Sequence, residues 1–363
     1  MTAIDDLYQA GTSTWLDDLS RERIATGNLA EVKDAKSIVG VTTNPAIFAA
    51  AMGSGTHYDE QLAELKQAGT TADAAVYAMS VKDVQDACDL FRDTFEATGG
   101  KDGRVSIEVD PRFAADEAKT IEQARELWQL VDRDNLMIKI PATDESLPAV
   151  TAALAEGISV NVTLIFSVER YKQVIEAYKD GIRKAAAAGH DVSRIHSVAS
   201  FFVSRMDTEV DKRLEAIGTD EALALRGKAG IANARLAYAL FEREFGDAVV
   251  DMLPANANVQ RPLWASTGVK NPAYPATMYV TELAGPQTVN TMPEKTLDAV
   301  LRDGGVHGDT LTGTEAVSRE TFAALQSVGI DLDDVVAVLE REGVEKFVDA
   351  WQELLDSMTA RLA

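Results

Sequence analysis

Residues 135–143 have the sequence Asn135-Leu136-Met137-Ile138-Lys139-Ile140-Pro141-Ala142-Thr143. A continuous apolar run of this length is typical of a β-strand buried on both faces, as in a parallel sheet. Burial penalises the protonated form of an amine, so a lysine in such a strand tends toward the neutral, nucleophilic amine that attacks ketones. The alternative is that Lys139 extends to the surface or pairs with a buried carboxylate. The rest of the sequence favours the nucleophile.

Similar strands recur along the chain. Short runs rich in β-branched residues alternate with longer amphipathic runs, a pattern that predicts βαβ units and a parallel sheet. The predicted strands are Thr14–Asp18, Ser37–Thr43, Val105–Asp110, Leu136–Pro141, Ser159–Phe166, Ile195–Phe202, Pro262–Thr267 and Met278–Leu283. Eight such units predict an α/β fold, a (β/α)8 TIM barrel with extra N- and C-terminal helices. A Rossmann-like open sheet is the alternative, but no Gly-x-Gly-x-x-Gly follows any predicted strand.

Two of the predicted helices have recognisable ends in the sequence. Ser167 is a typical N-cap before an amphipathic run that ends near Gly189, and Thr219 opens a second run that continues to Gly246. A last amphipathic segment, 332–362, is followed by no strand and should pack across the barrel or against a neighbouring subunit. No linker or internal repeat divides the chain. Residues 1–363 are therefore predicted to form a single (β/α)8 barrel domain.

Charge and composition limit the partners. The 363 residues carry a formal net charge of −23, and 46% of them are hydrophobic. Nucleic acids and anionic membranes both require a basic protein surface, so neither is an expected partner. The single cysteine, Cys88, cannot form an internal disulfide, and the N-terminal residues lack a signal-peptide pattern. We expect a cytoplasmic protein that is a monomer or homodimer.

Polar residues interrupt the apolar strands at alternate positions. They are Asp17, Thr42, Asn44, Glu108, Asn161 and Thr163. In a strand covered on both faces such residues are exceptions, because the pattern otherwise favours Val, Ile and Leu. Asn161 and Thr163 alternate with Val160, Val162 and Leu164, which predicts that the two polar side chains share one face. Together with Lys139, the set should meet at one mouth of the barrel, where active sites of this fold are built.

A lysine grouped with carboxylates, amides and a hydroxyl predicts Schiff-base chemistry. The lysine condenses with a ketone, and the iminium accepts electrons while a carboxylate takes a proton from a neighbouring hydroxyl, which breaks a C–C bond. This chemistry needs no cofactor. A metal-dependent route needs clustered ligands, whereas His57, His190, His196 and His307 are scattered without metal-binding spacing. We predict neither a cofactor nor a metal.

Four segments resemble the signatures of transaldolases. They are residues 41–48 (Val-Thr-Thr-Asn-Pro-Ala-Ile-Phe), 138–141 (Ile-Lys-Ile-Pro), 161–167 (Asn-Val-Thr-Leu-Ile-Phe-Ser) and 199–207 (Ala-Ser-Phe-Phe-Val-Ser-Arg-Met-Asp). The order and spacing match from Thr14 to about Asn290. The resemblance implies a class I aldolase-type transferase of the non-oxidative pentose phosphate pathway. Such an enzyme transfers a dihydroxyacetone unit from sedoheptulose 7-phosphate (or fructose 6-phosphate) to glyceraldehyde 3-phosphate (or erythrose 4-phosphate).

The same resemblance implies catalytic roles for four residues. Lys139 would be the Schiff-base lysine, and Asp17 would be the acid/base in C–C bond cleavage and formation. Glu108 and Thr163 would hold the water that carries protons during the carbinolamine and imine steps.

The remaining matches concern sugar-phosphate binding. Those expected at the dihydroxyacetone moiety are Thr42, Asn44, Asn161 and Ser200. Arg205 matches the phosphate-binding arginine of the family. After the seventh strand, shorter relatives have Ser-Phe-Arg-Asn, whereas residues 266–271 are Ser-Thr-Gly-Val-Lys-Asn. Ser266 and Lys270 are therefore the expected further phosphate ligands, at a longer spacing and with lysine in place of arginine.

Other interpretations stay open at this point. The chain could be a different phosphosugar aldolase or isomerase of the same fold, which would release free dihydroxyacetone. It could also be a non-catalytic sugar-phosphate binder, which would form no imine. Arg205 could instead form an ion pair within its own helix, near Asp207 and Glu209.

Overall fold

Eight parallel strands form a closed barrel in the computed structural model, which describes residues 2–246, 250 and 252–363. The strands are β1 Thr12–Asp17, β2 Gly40–Thr42, β3 Arg104–Glu108, β4 Leu136–Pro141, β5 Val160–Ile165, β6 Ser197–Phe202, β7 Gln260–Ala265 and β8 Thr288–Met292. Each strand pairs in parallel with the next, and β8 pairs with β1 to close the barrel. The predicted (β/α)8 fold is confirmed.

Helices surround the barrel. Between the strands and at the N-terminus they are Ala3–Ala10, Arg21–Ala25, Asn28–Ala35, Pro45–Met52, Asp59–Gln67, Ala72–Leu90, Arg92–Ala97, Glu117–Val131, Leu147–Ala155, Val168–Ala187, Ser204–Ile217, Asp220–Leu223, Ala229–Phe245 and Met278–Thr281. After β8 come Glu294–Asp303, Glu315–Ser327 and Leu332–Leu362. Two 3-10 turns, Pro111–Phe113 and Val192–Arg194, complete the described elements. Across the described ranges, no helix is both long and apolar enough to cross a membrane.

Seven of the predicted strands lie within three residues of their observed ends, but the eighth prediction is wrong. The segment predicted as strand Met278–Leu283 begins with the helix Met278–Thr281, and the eighth strand is Thr288–Met292. A short apolar run has no period that separates a buried strand from a buried helix. The true strand was hidden by its polar residues, because Thr288 and Asn290 are buried and hydrogen-bonded within the fold.

The long helix predicted after Thr219 is two helices. Thr219 caps the short helix Asp220–Leu223, and the run continues as Ala229–Phe245. Gly227 separates them with φ +69°, a left-handed conformation that ends an α-helix. The prediction from Ser167 is confirmed, since its side chain accepts a hydrogen bond from Arg170 N at the start of Val168–Ala187.

A buried ion pair ties the amino-terminal ends of the strands together. Arg261 Nη2 lies 3.1 Å from Asp102 Oδ1, and both side chains are almost fully buried. Asp102 also accepts hydrogen bonds from Ser13 Oγ at 2.8 Å and Trp15 Nε1 at 3.1 Å. The carboxylate thus has several donors, which offsets the cost of burying its charge. This network fixes the end of the barrel opposite to the predicted site.

The helix Leu332–Leu362, hereafter the C-terminal helix, crosses the carboxyl-terminal mouth of the barrel. It packs on helices Pro45–Met52 and Ala72–Leu90 and reaches β5. Near its far end, Arg361 Nη2 lies 2.7 Å from Asp59 Oδ1. Gly343 faces the barrel so closely that a Cβ there would lie 2.9 Å from Phe166 Cε2. The sequence left open whether this segment covers the barrel or a second subunit, and the structure shows that it covers the barrel.

We predict that Gly343→Ala destabilises the protein. Alanine has the higher helix propensity by about 1 kcal/mol, but its methyl group would collide with the Phe166 ring, and overpacking costs about 1–3 kcal/mol. Urea unfolding should therefore show a lower free energy of unfolding than in the parent protein. Glu345→Ala, on the exposed side of the same helix, should change it by no more than about 0.5 kcal/mol. Unchanged or higher stability of Gly343→Ala would show that the helix is not seated this closely.

Candidate active site

A cavity of about 250 Å³ lies between the carboxyl-terminal ends of the strands and the C-terminal helix. Most of the residues predicted for the site line it, namely Asp17, Thr42, Asn44, Lys139, Ser200, Arg205, Ser266 and Lys270. Parallel strands place their carboxyl ends at one rim, which explains how residues so distant in sequence meet. Glu108, Asn161 and Thr163 are buried and do not line this cavity.

Lys139 projects into the barrel from the middle of β4. Only 5% of the residue is exposed. Its Nζ donates a hydrogen bond to Thr43 O at 2.9 Å and lies 3.5 Å from Glu108 Oε2. Glu108 is opposite Lys139 in the β3–β4 register, so the pair is set by strand alignment. The Phe347 ring centroid is 5.7 Å from Nζ.

Both carboxylates of the site are harder to ionise than usual. Burial raises the pKa of Glu108 to about 7, although the nearby Lys139 opposes this shift. Burial also raises the pKa of Asp17, again against the attraction of Lys139 and a hydrogen bond from Thr42. Thr42 Oγ1 donates that bond to Asp17 Oδ1 at 2.8 Å. A carboxyl group that titrates near neutral pH is suited to general acid–base chemistry.

Two predicted residues form a hydrogen-bonded chain below the cavity. Ser200 Oγ donates to Asn161 Oδ1 at 2.6 Å, and Asn161 Nδ2 donates to Ser106 Oγ at 3.1 Å. Asn44 caps the helix Pro45–Met52 by accepting a hydrogen bond from Ile47 N at 3.0 Å. These bonds fix the orientation of amide groups at or just under the cavity.

Strand β5 is irregular at its carboxyl end. The register shifts between Val162 and Ile165, and Leu164 has φ +62°. The alternation in this strand implied that Leu164 shares a face with Val160 and Val162. This is wrong, because Leu164 packs in a different cluster, with Phe166 and Phe347 of the C-terminal helix. Thr163 is fully buried, as expected for an inward-facing residue, and its Oγ1 has no hydrogen-bond partner among the described residues.

The predicted phosphate ligands meet on one side of the cavity. The Arg205 guanidinium stacks over the Phe202 ring at 5.0 Å, and its Nη1 has no hydrogen-bond partner within the described ranges. Arg205 does not form the alternative ion pair with Asp207 or Glu209 of its own helix. Asp207 accepts a hydrogen bond from Tyr279 Oη, and Glu209 pairs with Arg213.

Ser266 and Lys270 approach the same side from the loop after β7. Ser266 has φ +54° and shares a hydrogen bond with Ser204 Oγ at 2.8 Å. Lys270 is exposed and contributes to the attraction that opposes the raised pKa of Asp17. Both residues line the cavity together with Arg205.

Several residues of the cavity were not predicted. They are Ala46, Phe202, Ala265, Gly268, Thr291, Pro293, Lys346, Phe347 and Ala350. Thr291 was missed because it lies on the misassigned eighth strand, although its hydroxyl is hydrogen-bonded to Thr42. Lys346 and Phe347 come from the C-terminal helix, and an amphipathic helix carries no local signal that says which turn crosses an active site.

A wider groove opens beside Asp17. It has a volume of about 840 Å³ and is lined by polar residues such as Ser20, Arg23 and Asn28. Asp17, Asn44, Ala46 and Pro293 border both the groove and the cavity. The groove adjoins the cavity along these residues, and the C-terminal helix does not line it.

Other features of the chain lie apart from this site. A cavity of about 540 Å³ near Arg104 and His196 is at the opposite end of the barrel and contains none of the predicted residues. Residues 2–246, 250 and 252–363 contain no group of three or more His, Cys, Asp or Glu side chains placed to hold a metal ion.

A lysine and two carboxylates beneath the mouth of an eight-stranded parallel barrel define an aldolase-like site. The sequence model described as Transaldolase/Fructose-6-phosphate aldolase matches residues 14–358, and the chain belongs to this family. It is 62% identical to a transaldolase of Mycolicibacterium smegmatis over 357 residues, which cover 98% of this chain and 96% of the relative. A transaldolase of Mycobacterium ulcerans is also 62% identical, and one of Mycobacterium leprae is 60% identical, each with the same coverage.

We predict that Glu108 titrates near pH 7. Difference infrared spectroscopy should show the band of its protonated carboxyl disappearing with a midpoint of about 7, and Glu108→Gln should lack the band. Lys139→Met should move the midpoint to higher pH, because the lysine charge favours the carboxylate. A midpoint near the ordinary value of 4.5 would mean that burial does not control this group.

Proposed function

We propose that this chain is a transaldolase that transfers a dihydroxyacetone unit between sugar phosphates through a Schiff base on Lys139. The donor is sedoheptulose 7-phosphate or fructose 6-phosphate, and the acceptor is glyceraldehyde 3-phosphate or erythrose 4-phosphate. Family membership and 62% identity to a mycolicibacterial transaldolase support the activity. The transfer belongs to the non-oxidative pentose phosphate pathway and uses no cofactor.

The position of Lys139 carries the proposal. Its amine lies at a cavity wall, with a carboxylate 3.5 Å away and an aromatic ring nearby. An amine at such a place can attack a ketone carbonyl that enters the cavity, since the nucleophile and a proton-transfer group are already in contact range. Lys139 also pairs with a buried carboxylate, which was the alternative for it. Unlike Lys179, which pairs with Glu244 at 2.6 Å, Lys139 lines the cavity, and this position supports the role of nucleophile.

The two carboxylates take different steps in this proposal. Glu108, next to Nζ, is placed to exchange protons as the carbinolamine forms and loses water. Asp17 borders the cavity from β1, where it can take the proton of the donor hydroxyl whose carbon chain is cleaved, and return it to the acceptor alkoxide. Thr42 holds Asp17 in place through its 2.8 Å hydrogen bond.

Two cations offer a site for the phosphate group. Arg205 has a donor with no protein partner among the described residues, and Lys270 is exposed at the same cavity. Guanidinium–phosphate contacts are directional and charge-assisted, so Arg205 is the principal anchor, and Ser266 and Lys270 complete the site.

Borohydride trapping tests the proposed function. Reduction in the presence of fructose 6-phosphate should attach a three-carbon adduct to Lys139, detected by peptide mass mapping. Lys139→Arg should abolish both the adduct and turnover, because a guanidinium stays protonated. Lys179→Arg, which changes another buried lysine, should leave the adduct on Lys139. An adduct on a different lysine, or none in the parent protein, would refute the proposal.

We predict that Arg205→Ala selectively weakens phosphorylated donors. Loss of a charge-assisted hydrogen bond costs about 1.5–3 kcal/mol, so KM for fructose 6-phosphate should rise by roughly 10- to 100-fold. KM for unphosphorylated fructose should hardly change. Lys212→Ala is the matched control, because it removes a cation of the same helix that is exposed and does not line the cavity. If both sugars lose affinity equally, Arg205 supports the fold or the chemistry and not the phosphate.

A further inference from the structure

Residues 266–277, hereafter the β7 loop, carry two of the proposed phosphate ligands, Ser266 and Lys270. The helix that carries Arg205, the third ligand, begins at Ser204. Ser204 binds the start of the loop twice, because its N–H donates to Ser266 O at 3.0 Å and the two hydroxyls share a hydrogen bond of 2.8 Å. Lys270 lies four residues further along, so a second attachment is needed to hold it at the cavity.

Tyr274 supplies this attachment about two turns further along the same helix. Its Oη donates a hydrogen bond to Asp211 Oδ2 at 2.5 Å, and Asp211 Oδ1 accepts another from Gly227 N at 2.9 Å. The Tyr274 ring packs on Gly227 so closely that a Cβ there would lie 2.8 Å from Cζ. Asp211 is only 8% exposed, so its carboxylate depends on these donors. The β7 loop is therefore bound to one helix at both Ser266 and Tyr274.

The residues between Lys270 and Tyr274 form a restrained turn. Asn271 Oδ1 accepts a hydrogen bond from Ala273 N at 3.0 Å, and Asn271 O accepts one from Tyr274 N at 3.1 Å. Pro272 fixes a backbone φ angle inside this turn. The position of Tyr274 therefore limits where the backbone of Lys270 can lie.

Lys270 borders two cavities. One is the active-site cavity, and the other, of about 250 Å³, lies between the β7 loop and the neighbouring helix. The second cavity contains two carboxylates, Asp207 and Asp211, which attract an ammonium group. Without the hydrogen bond from Tyr274, Asp211 is free to pair with Lys270, and that pairing takes the cation away from the active-site cavity.

We propose that the hydrogen bond from Tyr274 to Asp211 positions Lys270 for the phosphate group of the substrate. This inference rests on the proposed function and adds a positioning residue to it, since Tyr274 does not itself line the active-site cavity. Lysine binds phosphate as a point charge on a flexible stem. Its backbone must therefore be held in place if the contact is to persist. An unphosphorylated sugar has no use for this contact.

Steady-state kinetics of Tyr274→Phe test the inference. The variant keeps the ring on Gly227 and removes only the hydroxyl, so KM for fructose 6-phosphate should rise by roughly 3- to 10-fold. Both kcat and the KM for unphosphorylated fructose should stay unchanged. Lys270→Ala should show the same selectivity, with a rise at least as large. If Lys270→Ala leaves KM for fructose 6-phosphate unchanged, Lys270 does not bind the phosphate and the inference is wrong.

The double variant Tyr274→Phe/Lys270→Ala shows whether Tyr274 acts through Lys270. If it does, KM for fructose 6-phosphate should equal that of Lys270→Ala alone, because the contact that Tyr274 supports is already lost. Increases that multiply in the double variant would show that Tyr274 affects substrate binding by another route, and would overturn the proposal.

Tyr238→Phe is the matched control. Tyr238 Oη also donates a hydrogen bond, to Pro286 O at 3.2 Å, but the residue belongs neither to the β7 loop nor to the lining of the active-site cavity. Its KM for fructose 6-phosphate should equal that of the parent protein. An equal rise in Tyr238→Phe would attribute the effect to general loss of stability and contradict the specific role of Tyr274.

The remaining outcomes separate this inference from the proposed function. If borohydride traps the adduct on Lys139 of the parent protein but Tyr274→Phe leaves KM for fructose 6-phosphate unchanged, the proposed function stands and the role of Tyr274 is refuted. An equal rise for fructose and its phosphate would assign Tyr274 to the fold, which also contradicts the inference. If the parent protein forms no adduct, the proposed function fails and this inference with it. Should Tyr274→Phe prove unfolded by circular dichroism, Asp211→Ala, which removes the acceptor instead of the donor, decides by the same selectivity.

Discussion

The amine of Lys139 is buried beside a carboxylate, and a closed barrel keeps it there. Lys139 and Glu108 are register partners on adjacent strands, so the 3.5 Å approach of Nζ to Oε2 follows from the pairing of β3 with β4. Closing the sheet removes its edges and surrounds both groups with strands. The raised pKa of Glu108, the cavity above Lys139 and the position of the C-terminal helix all follow from this enclosure.

Buried charged side chains have different functions at the two ends of the barrel. At the amino-terminal ends, Asp102 is fully satisfied by Arg261, Ser13 and Trp15, so its charge serves stability. At the carboxyl-terminal ends, Arg205 keeps a donor without a protein partner among the described residues. In a chain of net charge −23, such a cation is needed where an anionic substrate must overcome the field of the whole molecule.

Strand positions were predictable because buried parallel strands have a strong local signal, and the lysine was conspicuous against it. The polar residues on β1 to β6 were predictable for the same reason. The eighth strand was not, because buried Thr288 and Asn290 make it look like a loop, whereas the helix Met278–Thr281 is as apolar as a strand. The position of Phe347 at the cavity depends on how a helix about 200 residues after the lysine packs on the barrel. No local pattern contains that information.

The groove beside Asp17 also bears on the order in which the two aldehydes of the proposed reaction leave and enter. The C-terminal helix covers the axis of the barrel, and the groove borders the cavity at Asp17, Asn44, Ala46 and Pro293. In the proposed reaction Asp17 serves both aldehydes, so the fragment cleaved from the donor and the acceptor would occupy the same space next to it. Because one space would serve both aldehydes in this scheme, the first would have to leave before the second could enter. Shared space beside Asp17 thus favours a ping-pong sequence, in which the two aldehydes compete for one form of the enzyme.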